Sequence, residues 1–202
     1  MNYRIIPQFK MTLIGLTLLL FINSIVNGIG YLWWLWLVLV ILMWFFRYEK
    51  SQKIIDPLSI ISPINGVVEK RGTGLYSHSM QPAIALNINH KWFHKIAIFS
   101  PIEGKILKIK QFSNQNRVKL SIQIITDEGG KVEVFLMGAM LGLCKLIIQP
   151  GYRVGSGQYI GFFIFLKSVR ILIPDDSIIT NKNMGRNIKA LRKIANLGGK
   201  LS

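Results

Sequence analysis

The sequence Ser-Pro-Ile-Asn-Gly-Val-Val at residues 62–68 recurs as Ser-Pro-Ile-Glu-Gly-Lys-Ile at residues 100–106. A third stretch of similar character, Gln-Pro-Gly-Tyr-Arg-Val-Gly-Ser-Gly-Gln-Tyr-Ile-Gly, follows at residues 149–161. Glycine allows turns with positive φ, and proline fixes φ at the entry to each following strand. This weak internal repeat predicts a β-rich body built from short hairpins.

The residues around the repeat extend the same pattern from position 54 to position 174. The segment Lys-Ile-Leu-Lys-Ile-Lys at 105–110 alternates polar and apolar residues, which predicts a half-exposed strand. Asp-Glu-Gly-Gly at 127–130 predicts a hairpin turn. Within the body, no convincing helical periodicity occurs between residues 54 and 180. Further β-branched runs predict strands at 119–126, 131–137 and 169–174.

The first 50 residues have a different composition, because they contain two apolar runs. The runs cover residues 11–26 and 31–46, and a turn-forming Asn-Gly-Ile-Gly separates them at 27–30. Flanking residues extend each run toward the roughly 20 residues that a bilayer-spanning helix needs. We therefore predict a transmembrane helical hairpin over residues 1–50. A re-entrant hairpin, a buried soluble hairpin and a cleaved signal peptide are the alternatives, and no small-residue cleavage site separates the runs.

The charges that flank the hairpin predict its orientation. Arg4 and Lys10 precede the first run, Arg47, Lys50 and Lys53 follow the second, and the turn between them is uncharged. Positively charged flanks remain on the cytoplasmic side of a membrane. Both termini and the body are therefore predicted to lie on the cytoplasmic side of the inner membrane.

The chain as a whole is strongly basic, with 25 Lys and Arg against 9 Asp and Glu and a net charge of +16. Residues 51–202 hold 21 of the basic and 8 of the acidic residues, a net charge of +13. This charge predicts an anionic partner, either a membrane surface with acidic lipids or nucleic acid. The membrane hairpin and the lack of a nucleic-acid-binding motif favour the membrane. The single cysteine, Cys144, excludes an intramolecular disulfide and any zinc site with two thiolates, and no metal site is predicted.

Residues 177–202 form a basic tail with six Lys and Arg and no acidic residue. Asn187 is a suitable helix cap, and Ile188, Leu191 and Ala195 follow at helical spacing. The tail is therefore predicted to form a short interfacial helix after a β domain at 51–176. Its predicted contacts with anionic lipid are Arg186, Lys189, Arg192 and Lys193.

Taken in order, these features resemble the short, membrane-anchored phosphatidylserine decarboxylases. The motifs that carry the resemblance are Phe45-Phe46-Arg47 after the hairpin, Ser62–Gly66, Pro101–Lys105, Asn114–Arg117, Met137-Gly138, and a glycine hairpin with Gly151, Val154, Gly157 and Gly161. The glycine spacing is also similar to the hammerhead-like folds of biotinyl and lipoyl carrier domains. A tight turn with a lysine for modification is missing, which argues against a carrier role.

The resemblance implies a specific chemistry. In the family, an internal serine attacks the preceding carbonyl group, the chain splits, and the serine becomes an N-terminal pyruvoyl group. A histidine base and an aspartate that orients it assist the cleavage. The pyruvoyl group then forms an imine with phosphatidylserine and accepts the electrons released when CO₂ leaves.

This sequence departs from the family at each of these positions. The aspartate falls on Asn65, the histidine on Ile96, and the Gly-Ser pair on Leu166 and Lys167. The paired arginines that follow Ala-Gly in the family fall on Gly142 and Leu143, and the loop between Lys105 and Asn114 is shorter. Lysine cannot undergo the elimination that yields pyruvoyl, so no cofactor is expected unless another residue supports cleavage.

Two residues near these positions offer an alternative. Ser168 lies one residue beyond the aligned nucleophile, and His94 lies two residues before the aligned base, on the same face of a strand.

Taken together, the sequence predicts a membrane-bound decarboxylase-like protein of phospholipid metabolism that does not process itself and binds lipid, a second copy of itself or an active paralogue. The alternatives are a working decarboxylase that uses the displaced residues, and a membrane scaffold unrelated to lipid head groups.

Overall fold

The structure is a computed structural model, and it describes residues 3–28, 33–49, 58–76, 81–90, 97–114, 117–138, 144–179, 185 and 187–198. The chain divides into two compact units, residues 1–50 and residues 51–202.

The first unit is a helical hairpin closed by a short pair of strands. Its elements are β1 (Tyr3–Ile5), α1 (Pro7–Asn27), α2 (Trp33–Phe45) and β2 (Arg47–Glu49). Pro7 suits the first turn of α1, where no N–H partner is needed, and Gly28 ends the helix with φ of 86°. β1 and β2 pair antiparallel, so the chain enters and leaves the hairpin at the same end.

Side chains of α1 also contact α2 and the residue that follows it. The rings of Phe9 and Phe46 stack with centroids 4.0 Å apart, and the indole Nε1 of Trp36 donates to the hydroxyl of Ser24 at 3.3 Å. Residues 9–27 are long and apolar enough to cross a membrane by length and composition. The described part of α2 has 13 residues, which corresponds to about 20 Å and is shorter than a bilayer core of about 30 Å.

The second unit is mainly β, as the repeat predicts. An eight-stranded antiparallel sheet and two three-stranded sheets surround a large apolar core, and a smaller buried cluster contains Tyr76 and Phe135. The strands are β3 (Ser59–Ile61), β4 (Gly66–Leu75), β5 (Pro82–Asn89), β6 (Ala97–Phe99), β7 (Gly104–Asn114), β8 (Arg117–Ile125), β9 (Lys131–Gly138), β10 (Cys144–Leu146), β11 (Arg153–Val154), β12 (Tyr159–Phe163), β13 (Leu166–Pro174), β14 (Ile178–Ile179), β15 (Asn187–Ile188) and β16 (Lys193–Asn196).

The large sheet contains most of the strands that alternation predicts. Its order is β11-β7-β8-β9-β13-β5-β4-β15. β8 and β9 are joined by the predicted turn at 127–130, where the amide of Thr126 donates to the carbonyl of Gly130 at 2.9 Å. The two small sheets have the orders β10-β12-β6 and β14-β16-β3.

The repeated sequence folds into two equivalent turns. The hydroxyl of Ser62 donates to the carbonyl of Ile64, and the hydroxyl of Ser100 donates to the carbonyl of Ile102, both at 2.7 Å. Two hydrogen bonds connect the turns to each other. The amide of Ile61 donates to the carbonyl of Pro101 at 2.9 Å, and the amide of Phe99 donates to the carbonyl of Pro63 at 3.0 Å. The body therefore has two related halves that share one core.

The C-terminal residues complete this repeat as strands, and the predicted interfacial helix is wrong. The amide of Gly151 donates to the carbonyl of Ile106 at 2.8 Å, and that of Gly185 donates to the carbonyl of Val68 at 2.9 Å. β11 pairs with β7, and in the same way β15 pairs with β4. Residues 185 and 187–196 thus follow the same course as the glycine hairpin that begins at Gly151.

The physical reason lies in tertiary pairing and in one backbone angle. Leu191 has φ of 70°, close to the 72° of Gly157 in the other copy, and a residue in this region cannot continue an α-helix. Ile188 and Ile194 are buried in the shared core. The helical spacing of apolar residues is therefore also compatible with a strand hairpin, and pairing with β3 and β4 selects the hairpin.

Candidate functional site

Asn65, which the resemblance assigns to the family's aspartate, makes a structural hydrogen bond in this chain. The side-chain Oδ1 of Asn65 accepts a hydrogen bond from the amide of Ala190 at 2.7 Å. Asn65 is half-buried in the first of the two repeated turns, and Ala190 belongs to the C-terminal hairpin. This hydrogen bond therefore connects the C-terminal hairpin to the first repeated turn.

A histidine that the sequence analysis did not select lies beside Asn65. The Nδ1 of His90 is 3.1 Å from the backbone carbonyl of Asn65, and a carbonyl only accepts, so Nδ1 carries the proton in this contact. The backbone amide of His90 donates to the carbonyl of Lys167 at 3.0 Å. His90 thus brings the aligned aspartate position and the aligned nucleophile position together.

Lys167 lies on an irregular segment at the start of β13. The pairing of β13 with β9 shifts register between Leu166 and Ser168, so Lys167 is the extra residue of a bulge. Its side chain is exposed, whereas Leu166 is buried in the core. Ser168 is half-buried and faces Asn89 of β5 in the ladder.

The turn before Lys167 has an unusual backbone. Phe165 has φ of 61°, a region that bulky residues rarely adopt, and its side chain is 49% exposed. The turn packs closely against Gly138, where a Cβ atom would overlap the ring of Phe163. Gly138 is the glycine of the Met-Gly pair that contributed to the resemblance, and the packing explains why a larger residue does not fit there.

The remaining predicted site residues divide into two groups. Ile96, the displaced base candidate His94, Gly142, Leu143 and Arg186 lie outside the described residues. Lys189, Arg192 and Lys193 are exposed on the C-terminal hairpin rather than on one face of a helix.

Sequence reasoning missed His90 because its partners are far along the chain. Lys167 lies 77 positions away, and only the β5–β13 register brings the two residues together. The available signal was the position of His90 directly after an apolar strand, at a strand end where polar side chains of several strands meet.

A separate cleft lies at the opposite end of the large sheet. Its volume is about 1020 Å³, and its lining includes Glu128, Asp175, Asp176 and Lys131. Burial raises the pKa of Tyr76 on its wall, and the carboxylates of Glu133 and Asp176 raise it further. Within the described parts of the chain, no three His, Cys, Asp or Glu residues are grouped as metal ligands would be.

Comparison with curated proteins identifies phosphatidylserine decarboxylase proenzymes as similar. The proenzyme of Burkholderia cenocepacia strain HI2424 is 24% identical over 162 residues, which cover 74% of this chain and 75% of the relative. The proenzyme of Burkholderia vietnamiensis strain G4 is 24% identical over 164 residues with the same coverage. These distant relatives support the resemblance of this chain to the phosphatidylserine decarboxylase family.

Two other comparisons gave no match. No protein-family model matches the chain. No solved structure matches it either.

Proposed function

We propose that this chain is a membrane-bound, phosphatidylserine decarboxylase-like protein of phospholipid metabolism that does not process itself. It acts by binding phospholipid, or as a partner of a second copy or of an active decarboxylase. The similarity to decarboxylase proenzymes over three quarters of each chain supports the lipid-related part. The apolar helix at residues 9–27 supports the membrane-bound part.

The observation that carries the non-processing part is the residue at the strained turn. Self-cleavage needs a hydroxyl group beside the carbonyl group that it attacks. Lys167 has an exposed ammonium group at the bulge, and Asn65 uses its side chain to fasten Ala190. A pyruvoyl group does not fit this arrangement, because the residue that would become the pyruvoyl group is a lysine.

One observation favours the alternative of a working, displaced site. Ser168 follows Lys167 directly, and the Lys167 carbonyl group that its hydroxyl would attack accepts a hydrogen bond from the amide of His90 at 3.0 Å. A backbone donor at this position would stabilise the negative charge that develops on the oxygen. The same hydrogen bond is also an ordinary continuation of the β5–β13 ladder, so we rank this function second.

The intact mass of the purified full-length protein separates the two functions. A single uncut chain of 23.0 kDa is the expected result. Two chains split near residues 166–168, with the smaller one blocked at its N-terminus, would establish the processed enzyme. Release of CO₂ from phosphatidylserine above a heat-inactivated control would do the same.

A membrane scaffold unrelated to lipid head groups is the third function to test. Binding of the full-length protein to phosphatidylserine and phosphatidylethanolamine can be compared with binding to phosphatidylcholine in detergent micelles. Equal binding to all three lipids would favour the scaffold over the decarboxylase-like protein.

A further inference from the structure

The two ends of the eight-stranded sheet differ in charge. One end has five acidic residues, with Glu103 directly before β7, Asp127 and Glu128 in the β8–β9 turn, and Asp175 and Asp176 directly after β13. Three basic residues, Lys105, Lys131 and Arg153, lie at the same end, so its net charge is still negative. We call this the acidic end. β9 has eight residues and runs from Lys131 at that end to Gly138 at the opposite end, a distance of about 23 Å at the usual rise per residue.

The opposite end, where the Phe165 turn meets the end of β9, is basic and partly apolar. Gly138 pairs with Leu166 there, and the carbonyl of Lys167 accepts from the amide of His90. We call it the Phe165 end. The whole segment from 134 to 174 contains no acidic residue. Residues 91–96, which follow β5 in the sequence, contain no acidic residue either.

Phe165 combines an unusual backbone angle with an exposed ring. Its φ of 61° places a bulky residue in a region that glycine or asparagine adopts at lower cost. Its side chain is 49% exposed, so a large aromatic surface is available to solvent or to a partner. Residues in such sparsely populated backbone regions are often found at positions with a function.

Basic side chains accompany this exposed ring. Lys167 lies two residues after Phe165, and Lys145 pairs with Phe162 on the strand that leads into the turn. Both lysine side chains are exposed. An aromatic ring with nearby lysines matches the interfacial region of a bilayer, where rings enter the boundary between head groups and acyl chains and ammonium groups meet acidic lipid.

We propose that the Phe165 turn inserts into an anionic bilayer surface, so that the basic end of the sheet faces the membrane and the acidic end points away from it. This inference rests on the membrane association in the proposed function and adds the surface of the body that contacts lipid. It does not depend on whether the chain cleaves itself.

The test measures the membrane depth of single residues in the full-length protein. Spin labels are placed at Phe165→Cys and, as the acidic-end control, at Glu128→Cys, each in a Cys144→Ala background. The proteins are reconstituted into nanodiscs of phosphatidylcholine with or without phosphatidylglycerol. Collision rates with oxygen, which concentrates in the bilayer, and with a water-soluble nickel chelate report the depth of each label.

The expected result is that the label at Phe165 collides at least several-fold more with oxygen relative to nickel than the label at Glu128. We also expect this ratio to fall when phosphatidylglycerol is omitted. A third label at Lys167→Cys gives an intermediate depth, and it retains the test if the label at position 165 disturbs the turn.

Two results would overturn the proposal in distinguishable ways. If the protein enters nanodiscs but the labels at 165, 167 and 128 are equally accessible to nickel, the Phe165 turn does not insert and the proposed function stands. If the protein does not enter nanodiscs, membrane association itself fails, and the inference fails with it.

Discussion

At the scale of single residues, Asn65 was selected by its resemblance to a catalytic motif, and its side chain makes a contact that stabilises the fold. Its Oδ1 accepts from the amide of Ala190, a residue that is 9% exposed. Asn65→Ala would leave this buried donor without its partner and is expected to cost about 1–3 kcal/mol of the free energy of unfolding. Chemical denaturation of a fragment comprising residues 51–202 measures this cost.

Two matched variants make the Asn65 prediction specific. Asn65→Asp retains an acceptor and is expected to change stability by about 0.5 kcal/mol or less. Glu103→Ala changes the equivalent residue of the second repeated turn, where the side chain is exposed and 3.6 Å from Arg153, so it should cost less than about 1 kcal/mol. An equal loss for Asn65→Ala and Glu103→Ala would contradict the role of the buried hydrogen bond.

Lys167 supports a second residue-scale prediction, which concerns self-processing. Lys167→Ser alone is expected to leave the chain uncut over hours, because Ile96 cannot move a proton and Leu166 replaces the family's glycine. In subtilisin, removal of the serine or the histidine of the triad costs about 10⁶-fold in rate. Mass spectrometry of the purified variant measures cleavage.

Two further variants help to interpret the self-processing experiment. The combined reversion of Asn65, Ile96, Leu166 and Lys167 to the family residues tests whether the complete set of family residues restores cleavage. If the unchanged chain is cut, Ser168→Ala becomes the deciding variant. Loss of cleavage in Ser168→Ala would identify Ser168 as the nucleophile.

At the scale of elements, part of the fold is predictable because its signals are local. The alternation in 105–110 and the turn at 127–130 are sequence features of a strand and a hairpin, and both are present in the structure. The sequence signals that predict the apolar hairpin are equally local. The C-terminal strands are not, because Ile188 and Leu191 fit a helix as well as a strand until β3 and β4 are present to pair with them.

The candidate site was predictable to a smaller degree for the same reason. The motif order located Asn65 and Lys167, but the contact of each with His90 depends on strand pairings between distant segments. The repeat contained an unused signal. Gly185 and Ile188 repeat the spacing of Gly151 and Val154, although Leu191 and Ala195 stand where the first hairpin has Gly157 and Gly161.

The helical hairpin gives a prediction about membrane topology. β1 and β2 pair, so both ends of the hairpin lie together, and positive charges flank them. A cysteine at Asn27 is therefore expected to react with a membrane-impermeant maleimide added outside the cytoplasmic membrane, whereas a cysteine at Lys53 is not. Labelling of both positions from the same side would instead indicate a re-entrant or peripheral hairpin, which the 13-residue length of the described part of α2 makes a serious alternative.

The native cysteine should contribute little background to this topology experiment. Burial raises the pKa of the Cys144 thiol to about 11, compared with an ordinary value of 9.0. The reactive thiolate is therefore about 100-fold scarcer at neutral pH than for an ordinary thiol. Equal labelling of Cys144 and a cysteine at position 27 in permeabilised cells would contradict this pKa.

At the scale of the whole molecule, the net charge of +13 on residues 51–202 predicts that the body binds anionic membranes by electrostatics. A fragment comprising these residues should bind vesicles that contain phosphatidylglycerol and should bind less as the salt concentration rises. Co-sedimentation with vesicles measures the binding. Equal binding to neutral phosphatidylcholine vesicles would refute the electrostatic contribution.

The structure also determines which variants can locate that charge effect. Deletion of residues 177–202 would remove Ile188 and Ile194 from the core and unfold the body, so the charges must be changed without truncation.

Neutralising Lys189, Arg192 and Lys193 to Gln removes three charges, each of which contributes about 1 kcal/mol near an anionic surface. Binding at low salt should therefore fall roughly 100-fold. The matched control neutralises three other exposed lysines, at 105, 108 and 131, of which the last begins β9 at the acidic end. If the C-terminal hairpin meets the membrane, the first variant loses far more affinity than the second. An equal loss in both would mean that the body responds only to its total charge and presents no particular face to the lipid.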